Sequence, residues 1–223
     1  MSLGMTDVRE LTRHPSPGGR PQPLAFHGAL LYVGSRDASR LYGIDPATWT
    51  VVEDVALPGP PFGLVSHGGA LHVVVSIGED DDRYLYRYVP GTPLDEARRI
   101  ALPDYTGSHL ASDGTTLYLV QMTNQRIVAL RPDASIERIV ALPTRVVGVC
   151  FAADTLYGIT ADEEFENLEV AKLDLHASPA TVEPLAAIAE DARSLAYGAG
   201  SWWTNFREQH EVVAFALDGA DVG

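Results

Sequence analysis

Short apolar runs alternate with turn signals along the whole chain. In the first clear copy the runs are Leu24–Phe26, Leu30–Ser35, Arg40–Ile44 and Thr50–Leu57, and each is followed within two residues by Gly, Pro or Asp. Alternating or β-branched runs of this length predict strands, and no stretch shows a convincing helical period. The pattern therefore predicts four short strands joined by turns.

The same landmarks repeat five times. An apolar or aromatic pair inside each second strand recurs with spacings of 40, 46, 39 and 46 residues. An apolar residue lies seven positions before every pair. The pairs are Leu31-Tyr32, Leu71-His72, Leu117-Tyr118, Leu156-Tyr157 and Trp202-Trp203. Four strands per unit of this length is the period of a β-propeller blade.

The last copy lacks its fourth strand, because only six residues follow Leu217. The segment Val8–Arg13 resembles the fourth strand at Ile136–Ala141, so we expect it to close the last blade. The fold expected is all-β, a five-bladed propeller of four-stranded antiparallel blades. Residues 5–223 are expected to form one domain after a leader at residues 1–4. A fragment of a larger propeller and an irregular sandwich are the alternatives.

Two segments resemble known propeller repeats. Ala29–Val52 resembles the YVTN-type repeat, and Asp113–Asp133 resembles the related NHL and quinoprotein-like repeats. This resemblance implies the scaffold but no single function, because such propellers include enzymes, ligand binders and interaction platforms. Plant-type glutaminyl cyclases carry a Phe-Thr-Gln-Gly-Leu motif, of which Pro61–Leu64 is an echo without the polar residues. The metal-binding Glu-Gly-Pro of gluconolactonase-like propellers has no counterpart in a first strand.

Composition narrows the partners and the compartment. The 16 Lys and Arg residues against 30 Asp and Glu residues give a net charge of -14, which argues against nucleic acids and anionic membranes. One cysteine, Cys150, excludes an internal disulfide and a cysteine-based zinc cluster, and it aligns with small packing residues. No signal segment follows Met5, so the sequence favours a soluble cytoplasmic protein. No cofactor motif occurs.

Candidate site residues follow from the repeat alignment. In a propeller, the loops before the inner strands and those joining second to third strands open on one face of the channel. Most of these loop positions hold small, Pro or apolar residues, so the polar and charged residues among them are the candidates. They are Arg145, Arg193, His109, Ser108 and Tyr105 before inner strands, and Gln121, Asn205 and Arg36 in the second-to-third strand loops.

Arg145 and Arg193 occupy corresponding stretches before two successive inner strands. Guanidinium groups suit a carboxylate or a phosphate through bidentate hydrogen bonds. The pair therefore predicts a site for a small anion at the channel mouth. Ion pairs with Asp104 or Asp191 are the structural alternative.

His109 is the candidate for catalysis. It follows Ser108, but adjacent residues of an extended strand point to opposite faces, which argues against a Ser–His nucleophile. His109 remains a candidate acid/base or ligand contact. A loop histidine without a role is the other interpretation.

Two acidic loops, Glu79–Asp82 and Asp162–Glu166, have the oxygen ligands that Ca²⁺ prefers. Neither has an alternating Asp-x-Asp-x-Asp-Gly pattern, so we expect solvated loops and no essential metal.

Two functions stay open. One is a module that binds a small molecule, such as an anion or a sugar-like compound, or a protein, on the channel face. The other is a small-molecule hydrolase, lyase or cyclotransferase at the channel mouth. Convergence of His109, Arg145, Arg193 and an acid would favour the enzyme, whereas a channel filled by Val147 and Phe62 would favour a binding platform.

Overall fold

The computed structural model describes residues 6–189 and 191–218. Met1–Gly4, which the sequence assigns to a leader, lie outside these described residues. Within them the chain forms five four-stranded antiparallel sheets, which are the blades of a propeller. The helical segments there are two 3-10 turns, Glu96–Arg98 and Pro103–Tyr105, and neither is long or apolar enough to cross a membrane.

The strands follow the predicted order. Blade 1 contains β2 (Pro21–His27), β3 (Leu30–Ser35), β4 (Arg40–Asp45) and β5 (Thr50–Ala56). Blade 2 contains β6 (Pro61–His67), β7 (Ala70–Ile77), β8 (Asp82–Tyr88) and β9 (Ile100–Ala101). Blade 3 contains β10 (His109–Ser112), β11 (Leu117–Gln121), β12 (Arg126–Leu130) and β13 (Ile136–Ala141). Blade 4 contains β14 (Arg145–Ala152), β15 (Thr155–Ala161), β16 (Leu168–Asp174) and β17 (Thr181–Ile188). Blade 5 contains β18 (Ala192–Gly198), β19 (Ser201–Phe206), β20 (Glu211–Ala216) and β1 (Arg9–Pro15).

The blades form a closed ring around a central channel. Each innermost strand contacts the innermost strand of the next blade, in the order β2, β6, β10, β14 and β18, and β18 contacts β2. The predicted five-bladed, all-β propeller is therefore confirmed.

The N-terminal strand closes the last blade, as the sequence predicted. Strand β1 pairs antiparallel with β20, with Arg9 opposite Ala216 and Pro15 opposite Glu211. Upstream of the strand, the Val8 amide donates to the Ala187 carbonyl at 2.9 Å, which ties this segment to blade 4 as well. The closure covers the edge of β20, which would otherwise present unpaired backbone groups.

The apolar landmarks of the repeat pack between blades. Between blades 4 and 5, Tyr157 meets Trp202 edge-on with ring centroids 4.7 Å apart, and Trp202 also lies against Phe215. All three rings are buried. Burial of large aromatic side chains is a main source of stability in such sheets, because each removes a large apolar area from water.

Histidines at the first hairpin turns link neighbouring blades. The Nδ1 of His27 lies 2.8 Å from the Ser66 hydroxyl, and the Nδ1 of His67 lies 2.8 Å from the Ser112 hydroxyl. Each serine belongs to the inner strand of the next blade. These turn residues therefore link blade 1 to blade 2 and blade 2 to blade 3.

Candidate functional site

A cavity of about 430 Å³ lies at the mouth of the channel. Every blade contributes a residue from the start of its inner strand. These five residues are Gln22, Phe62, His109, Val147 and Arg193. Loops add Thr106, Gly107, Ser108, Met122, Thr123, Phe165 and Arg207, and strand β8 adds Arg83.

Irregular pairing aims several of these side chains. The register of the inner hairpin shifts between Pro61 and Gly63 in blade 2, and between Val146 and Gly148 in blade 4. Phe62 and Val147 fall inside these shifts. A β-bulge bends its strand locally and re-aims a side chain, which is why such bulges are frequent at the rims of barrels.

Three arginines line the cavity: Arg83, Arg193 and Arg207. None of the described residues that line it is an Asp or a Glu. The cavity is therefore locally cationic in a chain whose net charge is -14. A concave cationic site of this kind attracts small anions.

The guanidinium groups also lie against aromatic rings. The Arg83 guanidinium lies 3.6 Å from the centre of the Phe62 ring, and that of Arg36 lies 4.4 Å from it. Arg145 and Arg193 lie 5.0 Å and 5.6 Å from the centre of the Phe165 ring. Cation–π contacts of this type orient charged groups without neutralising them.

Several arginines lie close together at this end of the molecule. Burial lowers the pKa of Arg36, and the nearby cations Arg207, Arg20 and Arg83 lower it further. Burial also lowers the pKa of Arg193, with Arg207 as the next cause. Since arginine stays charged in proteins, the mutual repulsion remains, and a bound anion would relieve it.

Carboxylates stand at the edge of the cluster rather than in the cavity. Asp81 pairs with Arg83 at 2.5 Å, and Glu208 lies 3.2 Å from both Arg207 and Arg20. The Arg83 guanidinium holds the pKa of Asp81 below its usual range. Both carboxylates are more than half exposed, so water screens these pairs and they neutralise the cluster only in part.

His109 is a buried polar group of the cavity, as is Gln22. Burial lowers its pKa to about 3, and the charges of Arg193 and Arg207 add to the effect. The imidazole is therefore neutral at pH 7. Ser108 lines the same cavity and its hydroxyl donates to the Val120 carbonyl at 3.4 Å.

Three more of the predicted residues are Gln121, Asn205 and Tyr105. Gln121 and Asn205 are fully buried, and their amide groups donate to backbone carbonyls, including Pro103 and Gln22 respectively. Tyr105 is half exposed and meets Tyr84 edge-on. These three side chains lie outside the cavity lining.

Arg145 and Arg36 reach the aromatic rings of the cavity without lining the cavity itself. Arg145 also donates to the Glu163 carbonyl. Asp104, one of the alternative partners named above, pairs with Arg126 instead. The criterion for an enzyme is therefore met only in part, because His109 and Arg193 converge without Arg145 and without an acid.

The candidates predicted from the sequence include neither Arg83 nor Arg207. Arg207 occupies the same repeat position as Arg36, five residues after the landmark of its second strand, so the alignment contained a signal for it. Arg83 is one residue out of register with Arg40 and Arg126, which begin the third strands of blades 1 and 3. A shift of one residue turns a side chain to the opposite face of a sheet.

The acidic loops use their carboxylates internally. Asp162 accepts hydrogen bonds from the amides of Glu166 and Asn167 at 2.9 and 3.2 Å, and Asp81 also binds the Ser76 hydroxyl. The described residues hold no group of three or more His, Cys, Asp or Glu side chains placed to bind a metal. Burial raises the pKa of the Cys150 thiol, which lines the other part of the channel among small and apolar residues.

No protein-family model matches the chain, and no curated protein matches it. Among solved structures, glutaminyl cyclase from Myxococcus xanthus is 16% identical with a TM-score of 0.71, over 95% of this chain and 98% of that one. The PQQ-bound aldose sugar dehydrogenase from Streptomyces coelicolor is 14% identical with a TM-score of 0.57, over 97% and 83%. The calcium-binding protein regucalcin from Agrobacterium tumefaciens is 11% identical with a TM-score of 0.57, over 96% of each chain. The likeness at these identities is one of fold, and the fold is the one that the resemblance to propeller repeats implied.

Proposed function

We propose that this protein is a binding module for a small polar anion, held at the channel mouth. The observation that carries the proposal is the set of three guanidinium groups, Arg83, Arg193 and Arg207, around a cavity whose described lining contains no carboxylate. The volume of about 430 Å³ suits a small molecule better than a protein segment, since small-molecule pockets span roughly 300–1,000 Å³.

The remaining lining residues describe the ligand further. Hydroxyl groups of Thr106, Ser108 and Thr123 and the amide of Gln22 offer neutral hydrogen-bonding partners. A phosphate ester or a sugar acid combines an anionic group with hydroxyls that match these partners. We therefore place sugar phosphates and sugar acids first among the ligand classes.

The test is a thermal-shift screen of phosphates, carboxylates and sugar acids, followed by isothermal titration calorimetry on each hit. Arg193→Gln and Arg207→Gln are each expected to weaken binding by about one to two decades, because a charge-assisted hydrogen bond contributes about 1.5–3 kcal/mol. Arg145→Gln is expected to weaken it much less, since Arg145 does not line the cavity.

Arg9→Gln is the matched control, because it removes the same charge from the exposed strand β1. Unchanged affinity in the Arg193→Gln, Arg207→Gln double variant would refute the site. The same loss in the Arg9→Gln control would mean that only the net charge matters.

A small-molecule enzyme, a hydrolase, lyase or cyclotransferase, is the second candidate. His109 in the cavity favours it, together with a fold that matches a glutaminyl cyclase over nearly the full length of both chains. Because the pKa of protonated His109 is about 3, the ring is neutral at pH 7 and is a poor proton donor. The enzyme is therefore the second candidate. Release of ammonia from a peptide with N-terminal glutamine, lost in His109→Gln, would reverse that order.

A further inference from the structure

We propose that the cleft between blades 2 and 3 is a second binding site, which takes a small apolar molecule carrying one acidic group. The cleft is a cavity of about 490 Å³, and it shares no lining residue with the channel mouth. Blades of a propeller pack face to face, and protein interiors leave few voids larger than a water molecule. A cleft of about 420 Å³ also lies between blades 3 and 4, so it is the lining rather than the volume that sets the cleft between blades 2 and 3 apart.

The short outer strand of blade 2 shapes the lining of this cleft. Strand β9 has two residues, whereas the outer strands of the other blades have six to eight. Residues 89–99 form a loop with one 3-10 turn in place of the missing part. Glu53 of blade 1 holds the start of this loop, since its carboxylate accepts from the Tyr88 hydroxyl at 2.5 Å and from the Gly91 amide at 2.7 Å. Glu53 thus fixes the start of the loop in the position in which the cleft is open.

The walls of the cleft are apolar. Leu85 and Ile100 lie opposite each other on β8 and β9, and Leu117 and Leu130 lie opposite each other on β11 and β12. All four line the cavity from the two facing blades. Leu85, Leu117 and Leu130 are buried in one core cluster, with Ile100 packed against it, so they form an apolar floor on which a flat apolar body can pack.

The rim of the cleft is cationic. Arg87, Arg98 and Arg131 line it, and Asp95 is the one carboxylate among the lining residues, all of which are described. Asp95 pairs with Arg98 at 3.1 Å, which leaves the charges of Arg87 and Arg131 in excess. An acidic group at the rim is the complement of this arrangement.

His72 adds a neutral polar group to the lining. It lies opposite Arg87 on the neighbouring strand, and burial, His67 and Arg87 together lower its pKa to about 4. Its Nδ1 is buried and makes no hydrogen bond within the described residues. Buried polar atoms usually have a partner, and a polar atom of a ligand would supply one.

Titration calorimetry with 2-naphthoate tests the site, because this probe joins a flat apolar body to one carboxylate. We expect one molecule bound per chain. Arg87→Gln should weaken binding about tenfold, as should replacing the probe by neutral 2-naphthol. Ile100→Trp should abolish binding by filling the cleft. Arg99→Gln should leave it unchanged, because this exposed arginine lies over the Tyr84 ring and does not line the cleft.

The two proposed sites are separated by further titrations. The Arg193→Gln, Arg207→Gln double variant should bind 2-naphthoate normally, and inorganic phosphate should not compete with it. Absence of saturable binding to the wild type would overturn the proposal, as would unchanged affinity in both Arg87→Gln and Ile100→Trp. Loss of binding in the double variant would assign the probe to the channel mouth instead. Arg87 is exposed, so its variant tests the site without disturbing the packing.

Discussion

Two residues at the channel mouth respond differently to similar surroundings. Burial disfavours the charged form of both His109 and Arg193, and it lowers the pKa of each. The imidazole loses its proton as a result, whereas the guanidinium begins from so high a pKa that it remains charged. The cavity therefore combines permanent cations with a neutral imidazole, which is suited to holding an anion rather than to exchanging protons.

The pKa of His109 predicts a dependence of stability on pH. The histidine has a pKa of about 6.5 in the unfolded chain and about 3 in the folded protein. Its contribution to stability is therefore complete above pH 6.5 and is lost as the pH falls towards 3, because the unfolded chain binds the proton first. Between pH 6.5 and 5 we expect a loss of about 2 kcal/mol.

Urea unfolding of the wild type and His109→Gln at several pH values measures this effect. The variant should show the flatter profile, whatever its stability at pH 7. His176→Gln is the matched control, since His176 is exposed, and its profile should follow that of the wild type. Parallel profiles for all three proteins would mean that His109 is not held neutral by burial.

At the scale of single elements, close approach of inner strands decides which residues fit near the channel. A Cβ added to Gly148 would lie 2.6 Å from the Ser194 carbonyl carbon of the neighbouring strand, so a side chain there meets backbone. A Cβ on Gly63 would lie 2.9 Å from the Ser108 carbonyl oxygen. Glycine at these positions lets β14 approach β18 and β6 approach β10, which brings the lining residues of different blades into one cavity.

Strand β1 carries a prediction at the same scale. Removing the chain through Pro15 exposes the edge of β20 and uncovers buried residues of blade 5. We expect the melting temperature to fall by about 10 °C or more, since a loss of several kcal/mol lowers it by roughly 2–4 °C per kcal/mol in a chain of this size. Differential scanning calorimetry measures the change.

A synthetic peptide covering residues 6–16 serves as the control for this truncation. Added in excess, it should restore part of the lost stability by occupying the edge of β20. An unchanged melting temperature in the truncated protein would contradict the closing role of β1.

At the scale of the whole molecule, the cationic channel mouth coexists with a net charge of -14. A small anion experiences mainly the nearby guanidinium groups, whereas a polyanion spans many surface carboxylates at once. The molecule as a whole should therefore select compact anions.

This selectivity is tested with nucleic acid as the polyanion. In fluorescence anisotropy at physiological salt, a labelled DNA duplex of about 20 base pairs should not bind, because counterion release needs an extended basic surface. A sugar phosphate that binds by calorimetry supplies the positive comparison. DNA binding that weakens steeply with salt would show that the basic groups form a continuous surface after all.

The sequence repeat alone was sufficient to predict the number of blades, the closure of the ring and the positions around the channel. Five copies of the apolar landmarks, each with the same seven-residue offset, determined the number of blades, and the missing strand after Leu217 determined the closure by β1. Repeat alignment also identified the positions that ring the channel, among them Phe62, Val147 and Arg193. These features depend on local hydrophobic pattern, which the sequence carries directly.

Tertiary structure alone decided which charged side chains enter the channel mouth and where the second cleft lies. Arg83 enters the cavity because its strand is shifted by one residue, and the carboxylates of Asp81 and Glu208 stay at the edge, where each pairs with an arginine. The cleft beside Leu85 is bounded by the loop that replaces most of the outer strand of blade 2 and by side chains of blade 3. Register and the packing of side chains from distant segments are properties of the assembled ring, and no single stretch of sequence contains them.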